Sequence, residues 1–216
     1  MPTNPSSTAA RGEPTVYLVD DDAAVRDALC LLIRSVKLNV VAYGDPAEFL
    51  REFTGDEVGC LVIDIRMPVL NGFAVQERLQ SAKSALPIIF ITGHGDLAQC
   101  RRAFQHGAVD FLTKPVDEHA LLESLQKAIR LNDEWRLTRS RRHSARIAIA
   151  KLSSRERAVF DLLCEGMANK VIAEKLKLSL RTVEAYRAAV LEKTDTSSIA
   201  DLARLQLFAV ESGSLP

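Results

Sequence analysis

The sequence is poor in the features that mark secreted and membrane proteins. It has four cysteines in 216 residues and no closely spaced pair, which excludes a disulfide-dense scaffold and a zinc knuckle. No apolar run approaches the ~18 residues that a membrane span needs. Segment 1–13 has no apolar signal core, so we expect a disordered tail and a cytoplasmic protein with reduced cysteines.

The chain also lacks net charge, but its two halves differ in sign. Residues 1–130 hold 13 lysines and arginines against 17 aspartates and glutamates, hence −4. Residues 131–216 hold 15 against 11, hence +4. An acidic first half joined to a basic second half predicts two domains with different partners, the second of them nucleic acid.

Hydrophobic periodicity divides the chain near residue 135. Before that point, short apolar runs alternate with amphipathic segments, which is typical of βαβ units and a parallel sheet covered on both faces. The predicted strands are 15–19, 39–43, 60–64, 87–92 and 109–113, and the predicted helices are 23–36, 46–53, 72–82, 96–106 and a last one from residue 117.

The pattern after residue 150 is purely helical. The predicted helices are 153–166, 168–176, 179–193 and 197–210. Between the two parts, residues 133–150 are charged and contain no glycine or proline, so we predict a helical linker there. A solvated basic face explains this charge more simply than a dedicated nucleic-acid arm.

Polar side chains stand at the predicted strand ends. In an open parallel sheet, functional groups gather at the carboxyl ends of the strands. The first strand runs into Asp20, Asp21 and Asp22, the third ends in Asp64, the fourth ends in Thr92, and the fifth runs into Lys114. Crowded carboxylates resist full ionisation, and Mg²⁺ relieves their repulsion. An oxygen of Asp64 then remains to attack phosphorus, with Lys114 and Thr92 placed to stabilise the phosphoryl oxygens.

Each of these residues also has a simpler interpretation. Asp22 is expected to cap the first helix. Asp64 alone is compatible with a turn, Thr92 with an ordinary strand end, and Lys114 with a solvated lysine. Together, in this order, they indicate a phosphate acceptor site. His94 is one of four scattered histidines without ligand spacing, so we do not assign it to a metal.

Four motifs carry a resemblance to a known family. "LVDDD", "LVIDIRMPVLNG", "FITGHGD" and "GAVDFLTKP" make residues 14–132 resemble the receiver domain of two-component response regulators. The resemblance implies a doubly wound five-stranded parallel sheet of order 2-1-3-4-5. It also implies phosphorylation of Asp64, Mg²⁺ bound by Asp20, Asp21, Asp64 and the Arg66 backbone carbonyl, Thr92 and Phe111 as switch residues, Lys114 as the phosphate-binding lysine, and a cis bond between Lys114 and Pro115.

The second half predicts a helix-turn-helix in an all-α four-helix domain over residues 151–212. Gly166 ends one helix and Ser179 caps a later one that is rich in polar and basic residues. "LSSRE", "GMANKVIAEKL" and "SLRTVEAYRAAVLEK" resemble the output domain of LuxR/FixJ-type regulators, a family related to NarL. The resemblance and the exposed positions predict DNA contacts by Asn169, Lys170, Arg181, Thr182, Val183, Tyr186, Arg187 and Lys193. Tyr186 replaces the histidine usual in the family, so the resemblance does not fix the operator preference at that position.

The combined resemblance implies a transcription regulator. A sensor histidine kinase would phosphorylate Asp64, and the surface from Asp96 to Phe111 would then form a homodimer that binds promoter DNA. A Mg²⁺-dependent phosphatase is disfavoured, because Arg66 stands where such an enzyme needs a general acid. A dinucleotide enzyme lacks its Gly-x-Gly-x-x-Gly motif, and an unphosphorylated receiver would not need its intact acidic pair. We expect at most self-phosphorylation from small donors and slow self-dephosphorylation.

Overall fold

The structure, a computed structural model, describes residues 13–93 and 97–210. The chain divides into two units between Arg136 and Leu137. Apart from Glu13, the predicted tail 1–13 lies outside the described residues, as do His94 and Asp96.

The first unit contains a five-stranded parallel sheet of order β2-β1-β3-β4-β5, as predicted. The strands are β1 (Thr15–Val19), β2 (Asn39–Tyr43), β3 (Gly59–Asp64), β4 (Ile88–Thr92) and β5 (Asp110–Thr113). The helices are α1 (Ala23–Ser35), α2 (Pro46–Glu52), α3 (Gly72–Ser81), α4 (Leu97–Gln105) and α5 (Glu118–Ala150). The order places the carboxyl ends of β1 and β3 side by side at the middle of the sheet.

Alternate side chains of the central strands face two separate apolar cores. In β3, Leu61 and Ile63 pack with α2, α3 and α4 on one face of the sheet. Cys60 and Val62 pack with α1 and α5 on the other face. Burial on both faces explains why this strand reads as a continuous apolar run rather than an alternating one.

Short polar side chains begin the helices that follow the strands. The Asp22 carboxylate accepts hydrogen bonds from the backbone N–H groups of Ala24 and Val25, so the predicted cap of α1 is confirmed. Asn71 accepts in the same way from Ala74 at the start of α3. Each cap satisfies an N–H group that has no partner within its helix.

Helix α5 continues without interruption through the predicted linker 133–150. Within the first unit its Asn132 side chain is completely buried. The amide accepts from Gly59 N–H at 3.0 Å and donates to the carbonyl of Ala85 at 2.7 Å. It therefore ties α5 to the amino-terminal edge of the sheet. A linker role for 133–150 remains a prediction.

The second unit is helical. Its helices are α6 (Ser154–Cys164), α7 (Asn169–Leu176), α8 (Leu180–Thr194) and α9 (Ile199–Val210). Val159, Phe160, Ile172, Val183 and Leu202 belong to their shared core. A reciprocal pair of hydrogen bonds between Ser153 and Glu156 opens α6. Ser179 caps α8 through the N–H of Thr182, as predicted.

Two further properties concern both units. All four cysteines are free thiols. Among the helices that the structure describes, none combines the length and apolar character that a membrane crossing requires.

Candidate functional site

Three carboxylates meet where β1 and β3 end. Asp20 and Asp21 directly follow β1, and Asp64 is the last residue of the adjacent β3. One oxygen from each carboxylate lies within 4.8 Å of the other two. Asp20 is fully buried, Asp64 is 5% exposed and Asp21 is exposed. The structure thus brings together the three aspartates that the strand pattern singled out; we call them the acidic cluster.

The ammonium group of Lys114 lies against the acidic cluster. Its Nζ is 2.7 Å from Oδ2 of Asp20 and 3.6 Å from Oδ2 of Asp64. The backbone N–H of Lys114 donates to the carbonyl of Thr92 at 2.8 Å, and the bond from Lys114 to Pro115 is cis. Lys114, which directly follows β5, therefore places its positive charge beside the carboxylates at the ends of β1 and β3.

Backbone contacts fix the position of Asp64. The N–H of Ile65 donates to its Oδ1 at 2.9 Å. Gly72, the first residue of α3, packs directly against it, because a Cβ atom there would lie 2.5 Å from the Asp64 carbonyl oxygen. The glycine in "LNG" is thus required by close approach of two backbone segments.

The environment raises the pKa of Asp64. Burial is the largest cause, since it disfavours the charged carboxylate. Lys114 and the Ile65 N–H oppose the rise in the pKa, whereas Asp20 and Asp21 add to it. A single ammonium does not compensate three crowded carboxylates, so the acidic cluster is electrostatically suited to a further cation.

The donor set also fits Mg²⁺ chemically. Carboxylate oxygens are the hard ligands that Mg²⁺ prefers, and this ion is usually held by one or two carboxylates together with phosphate and water. Asp21 and Asp64 offer such oxygens, with Asp20 beside them. When bound, Mg²⁺ neutralises negative charge on the carboxylates and on a phosphoryl group.

The two predicted switch residues occupy neighbouring strands. Thr92 ends β4 and is fully buried. Phe111 lies in β5, opposite Phe90 in the strand pairing, and packs partly buried against the core under α3 and α4. Thr92 therefore stands at the edge that holds the acidic cluster, while Phe111 lies farther along the sheet.

A second candidate surface is the exposed side of α7 and α8. Arg181, Glu184, Ala185 and Ala188 are exposed along α8, and Lys170 is exposed near the start of α7. These α8 residues lie three, four and seven positions from Arg181, the spacing of one helix face. The two alanines were not among the predicted DNA contacts, although this spacing places them on the same exposed face.

The other predicted contact residues are less accessible. Asn169, Thr182 and Arg187 are half-buried, and Thr182 shares a 2.7 Å hydrogen bond with the Ser179 hydroxyl. Tyr186 is half-buried and packs against the core of the second unit.

One predicted DNA contact, Val183, needs correction, and Lys193, which stays a prediction, has a partner within the protein. Val183 is fully buried in the core of the second unit. It lies seven residues, about two helical turns, before the buried Val190, so both side chains face this core from the same side of α8. We therefore do not assign Val183 to DNA. Lys193 has an internal partner: its Nζ lies 2.7 Å and 2.8 Å from the two carboxylate oxygens of Glu156. Its charge is already compensated within the protein.

Fold and site together define the class of protein. The five-stranded sheet with an acidic cluster and a lysine at its carboxyl edge is the receiver type of domain, and the second unit is a helix-turn-helix domain. Two family models match these parts: "Response regulator receiver domain" over residues 16–126, and "Bacterial regulatory proteins, luxR family" over residues 150–206.

Characterised relatives align with nearly the whole chain. The transcriptional regulatory protein FixJ of Bradyrhizobium diazoefficiens is 38% identical over 194 residues, 90% of this chain and 95% of FixJ. The response regulator TodT of Pseudomonas putida is 38% identical over 190 residues, 88% of this chain and 84% of TodT. The chain belongs to the two-component response regulators that join a receiver domain to a LuxR-family DNA-binding domain.

Solved structures agree with this assignment. The response regulator StyR has 37% sequence identity and a TM-score of 0.81, covering 91% of this chain and 99% of StyR. Full-length FixJ from B. japonicum has 38% identity and a TM-score of 0.56, covering 91% of this chain and 97% of its own.

Proposed function

We propose that a sensor histidine kinase phosphorylates Asp64, and that this modification promotes dimerisation and sequence-specific promoter binding. The observation that carries the proposal is the acidic cluster with Lys114 beside it. An oxygen of Asp64 would attack the phosphorus of a phosphohistidine, forming an O–P bond while the P–N bond breaks and the histidine nitrogen leaves. Catalysis of this kind needs mainly positioned charge, which the acidic cluster and Lys114 supply.

The residues around Asp64 support a role for each participant. Asp21, Asp64 and the backbone carbonyl of Arg66, with Asp20 alongside, are the proposed Mg²⁺ ligands. Lys114 and the Thr92 hydroxyl are proposed to bind phosphoryl oxygens. A cavity of about 760 Å³ opens beside Asp21 and Arg66, which supports access for a phosphodonor.

The proposed switch couples phosphate to the surface of α4 and β5. Phosphorylation adds negative charge and acceptor oxygens. Thr92 is expected to turn toward them, and Phe111 to turn inward into the space it leaves. Leu97 and Phe104 are exposed apolar residues on α4, which supports a dimer contact along the described part of the predicted surface from Asp96 to Phe111.

Promoter recognition is proposed for the exposed side of α7 and α8. In a helix-turn-helix, the second helix enters the major groove and backbone contacts fix its orientation. Arg181, Thr182, Tyr186 and Arg187 are the proposed groove residues, together with exposed Glu184, Ala185 and Ala188 on the same helix. Asn169 and Lys170 at the start of α7 are proposed to contact phosphates. A dimer with two such domains should bind two DNA half-sites that lie about one turn of the DNA helix apart.

The test compares the wild type with Asp64→Asn after treatment with acetyl phosphate or a cognate kinase. Genomic DNA selected by the treated wild type supplies the binding site. We expect the treated wild type to dimerise and to bind this DNA more tightly, whereas Asp64→Asn should respond to neither treatment. Equal affinity and equal oligomeric state in the two proteins would refute the proposal.

The alternative function, a Mg²⁺-dependent phosphatase, predicts turnover of phosphomonoesters. Arg66, two residues after Asp64, is not a proton donor at neutral pH. Turnover of a phosphomonoester should therefore be absent, beyond slow loss of the protein's own phosphate.

We propose the cytoplasm as the compartment, because a promoter-binding regulator needs access to DNA.

A further inference from the structure

The positive charge of the second half is concentrated in one segment. Residues 135–155 carry seven lysines and arginines and no aspartate or glutamate, a net charge of +7. Residues 156–216, which hold all of helices α6 to α9 except the first two residues of α6, carry eight against nine, a net charge of −1. A DNA-binding domain normally shows a basic footprint, because neutralising phosphates releases counterions. Here that footprint precedes the helix-turn-helix.

The last turns of α5 are built into the DNA-binding unit. The second unit begins at Leu137, thirteen residues before α5 ends. Ala145 and Ile149 are buried, and Ile149 packs into the core that α6 to α9 share. The Nε of Arg146 donates to the carbonyl of Ala209 near the end of α9 at 3.3 Å. Charges on these turns are therefore held at fixed positions relative to α8.

The basic side chains lie on the solvent side of the same turns. Arg139, Arg141 and Arg146 are exposed, and so is Lys151 just after the helix. Arg139 and Arg146 are seven residues apart, so they lie on one side of the helix. A merely solvated helix face usually mixes both signs of charge, which pair along the helix. A stretch of 21 residues without one carboxylate favours a polyanion as partner.

We propose that residues 137–151 form a basic arm that binds DNA phosphate groups next to the site read by α8. The inference rests on the proposed DNA binding and adds a contact outside the helix-turn-helix. Phosphate contacts position a protein but carry no sequence information. The basic arm should therefore strengthen binding to all DNA equally and set most of its salt dependence.

The test uses the full chain and a short DNA duplex of arbitrary sequence. Binding is measured by fluorescence anisotropy across a salt series for the wild type and for Arg139→Gln/Arg141→Gln/Arg146→Gln. The matched control is Arg34→Gln/Lys37→Gln/Arg51→Gln, which removes three exposed charges from the first unit. Circular dichroism and gel filtration verify that each variant is folded.

Each lost phosphate contact lowers the slope of log affinity against log salt by ~0.9. For the arm variant, the slope of log affinity against log salt should therefore be smaller than the wild-type slope by about two to three. Between 50 and 200 mM salt, the wild type should lose roughly 40-fold more affinity than the arm variant. The control variant should behave like the wild type.

Three other results would count against the basic arm. An unchanged slope in the arm variant would overturn the proposal. The basic residues would then face solvent or bind an acidic protein instead of DNA. Equal changes in both triple variants would show a general charge effect and also overturn it. If the wild type binds neither this duplex nor, after treatment with acetyl phosphate, any genomic DNA, the proposed function itself fails, which is distinguishable from failure of the arm.

Discussion

Removal of the ammonium of Lys114 should expose the repulsion within the acidic cluster. In Lys114→Met, the carboxylates of Asp20 and Asp64 lose the cation that now lies 2.7 Å and 3.6 Å away. Both carboxylates are buried, so water replaces the lost partner poorly. We expect lower stability of the first unit, and a larger stabilising effect of Mg²⁺ than in the wild type.

The geometry sets the magnitude. At an effective dielectric constant of 20, unit charges at these two distances attract by about 6 and about 5 kcal/mol. Desolvation cancels much of this attraction, but loss of one member of a buried pair still costs ~3–5 kcal/mol. We expect the lower end, about 3 kcal/mol, because Lys114 is 19% exposed at its side chain and Asp21 is solvated. For a unit of this size, that lowers the melting temperature by roughly 10 °C.

Calorimetry of the full chain measures this effect, with EDTA or with Mg²⁺ present. The transition that Mg²⁺ shifts belongs to the first unit. If the affinity for Mg²⁺ rises tenfold in Lys114→Met, saturating Mg²⁺ restores about 1.4 kcal/mol more stability than it gives the wild type. Lys127→Met is the matched control, because exposed Lys127 bonds only a backbone carbonyl, that of Val109, in the described contacts.

The double variant Lys114→Met/Asp64→Asn completes the test. In EDTA, loss of the Asp64 charge should make the double variant more stable than Lys114→Met. It should also abolish the additional stabilisation by Mg²⁺ that Lys114→Met shows over the wild type. A Lys114→Met protein as stable as the wild type, or one that Mg²⁺ affects no more strongly, would refute the electrostatic account of the acidic cluster.

Three further predictions concern stability. Asn132→Ala leaves the buried N–H of Gly59 and the carbonyl of Ala85 without a partner, so the first unit should lose ~2–4 kcal/mol of unfolding free energy in urea. Val69→Gly should stabilise the same unit by about 1 kcal/mol in urea titration, since this fully exposed valine has φ 70° in a γ-turn closed from Leu70 N–H to the Pro68 carbonyl. Lys193 and Ser153 lower the pKa of Glu156 to about 2. A depressed carboxyl pKa contributes stability above the unfolded pKa of ~4.3. That contribution is lost as the pH falls from there toward 2. Glu156→Gln should thus melt below the wild type at neutral pH, with the difference shrinking in this acid range.

The first two of these predictions have matched control variants. Asp133→Ala changes an exposed neighbour of Asn132 and should stay within ~0.5 kcal/mol of the wild type. Val41→Gly removes an exposed valine from β2 and should destabilise, opposite in sign to Val69→Gly. An equal loss in Asn132→Ala and its control, a destabilised Val69→Gly, or a melting difference for Glu156→Gln that persists down to pH 2, would each contradict its prediction.

Local signals were sufficient for most of the fold. The β1 and β2 boundaries agree with the predicted strands 15–19 and 39–43, because β-branched runs bounded by polar residues have few alternatives. The acidic cluster was predictable for a related reason. In a doubly wound parallel sheet all strands point their carboxyl ends to one edge, so strand ends far apart in sequence share a site.

Contacts between distant side chains left little trace in the sequence. Glu156 and Lys193 are 37 positions apart, so nothing local marked Lys193 as an internal partner rather than a DNA contact. The burial of Val183 follows from the packing of α8 against its neighbours, which a single helix pattern does not orient uniquely. Asn132 bonds groups 73 and 47 positions away, so no local pattern marked it as a buried tie between α5 and the sheet.

The central claim is that Asp64 accepts a phosphoryl group. The most direct measurement is intact-protein mass spectrometry after incubation with acetyl phosphate and Mg²⁺, with hydroxylamine cleavage and peptide mapping to locate the modified residue. The account predicts one added phosphoryl group on Asp64 that hydroxylamine removes, and none in Asp64→Asn or in EDTA. An unmodified wild type, or a phosphoryl group that persists in Asp64→Asn, would contradict it.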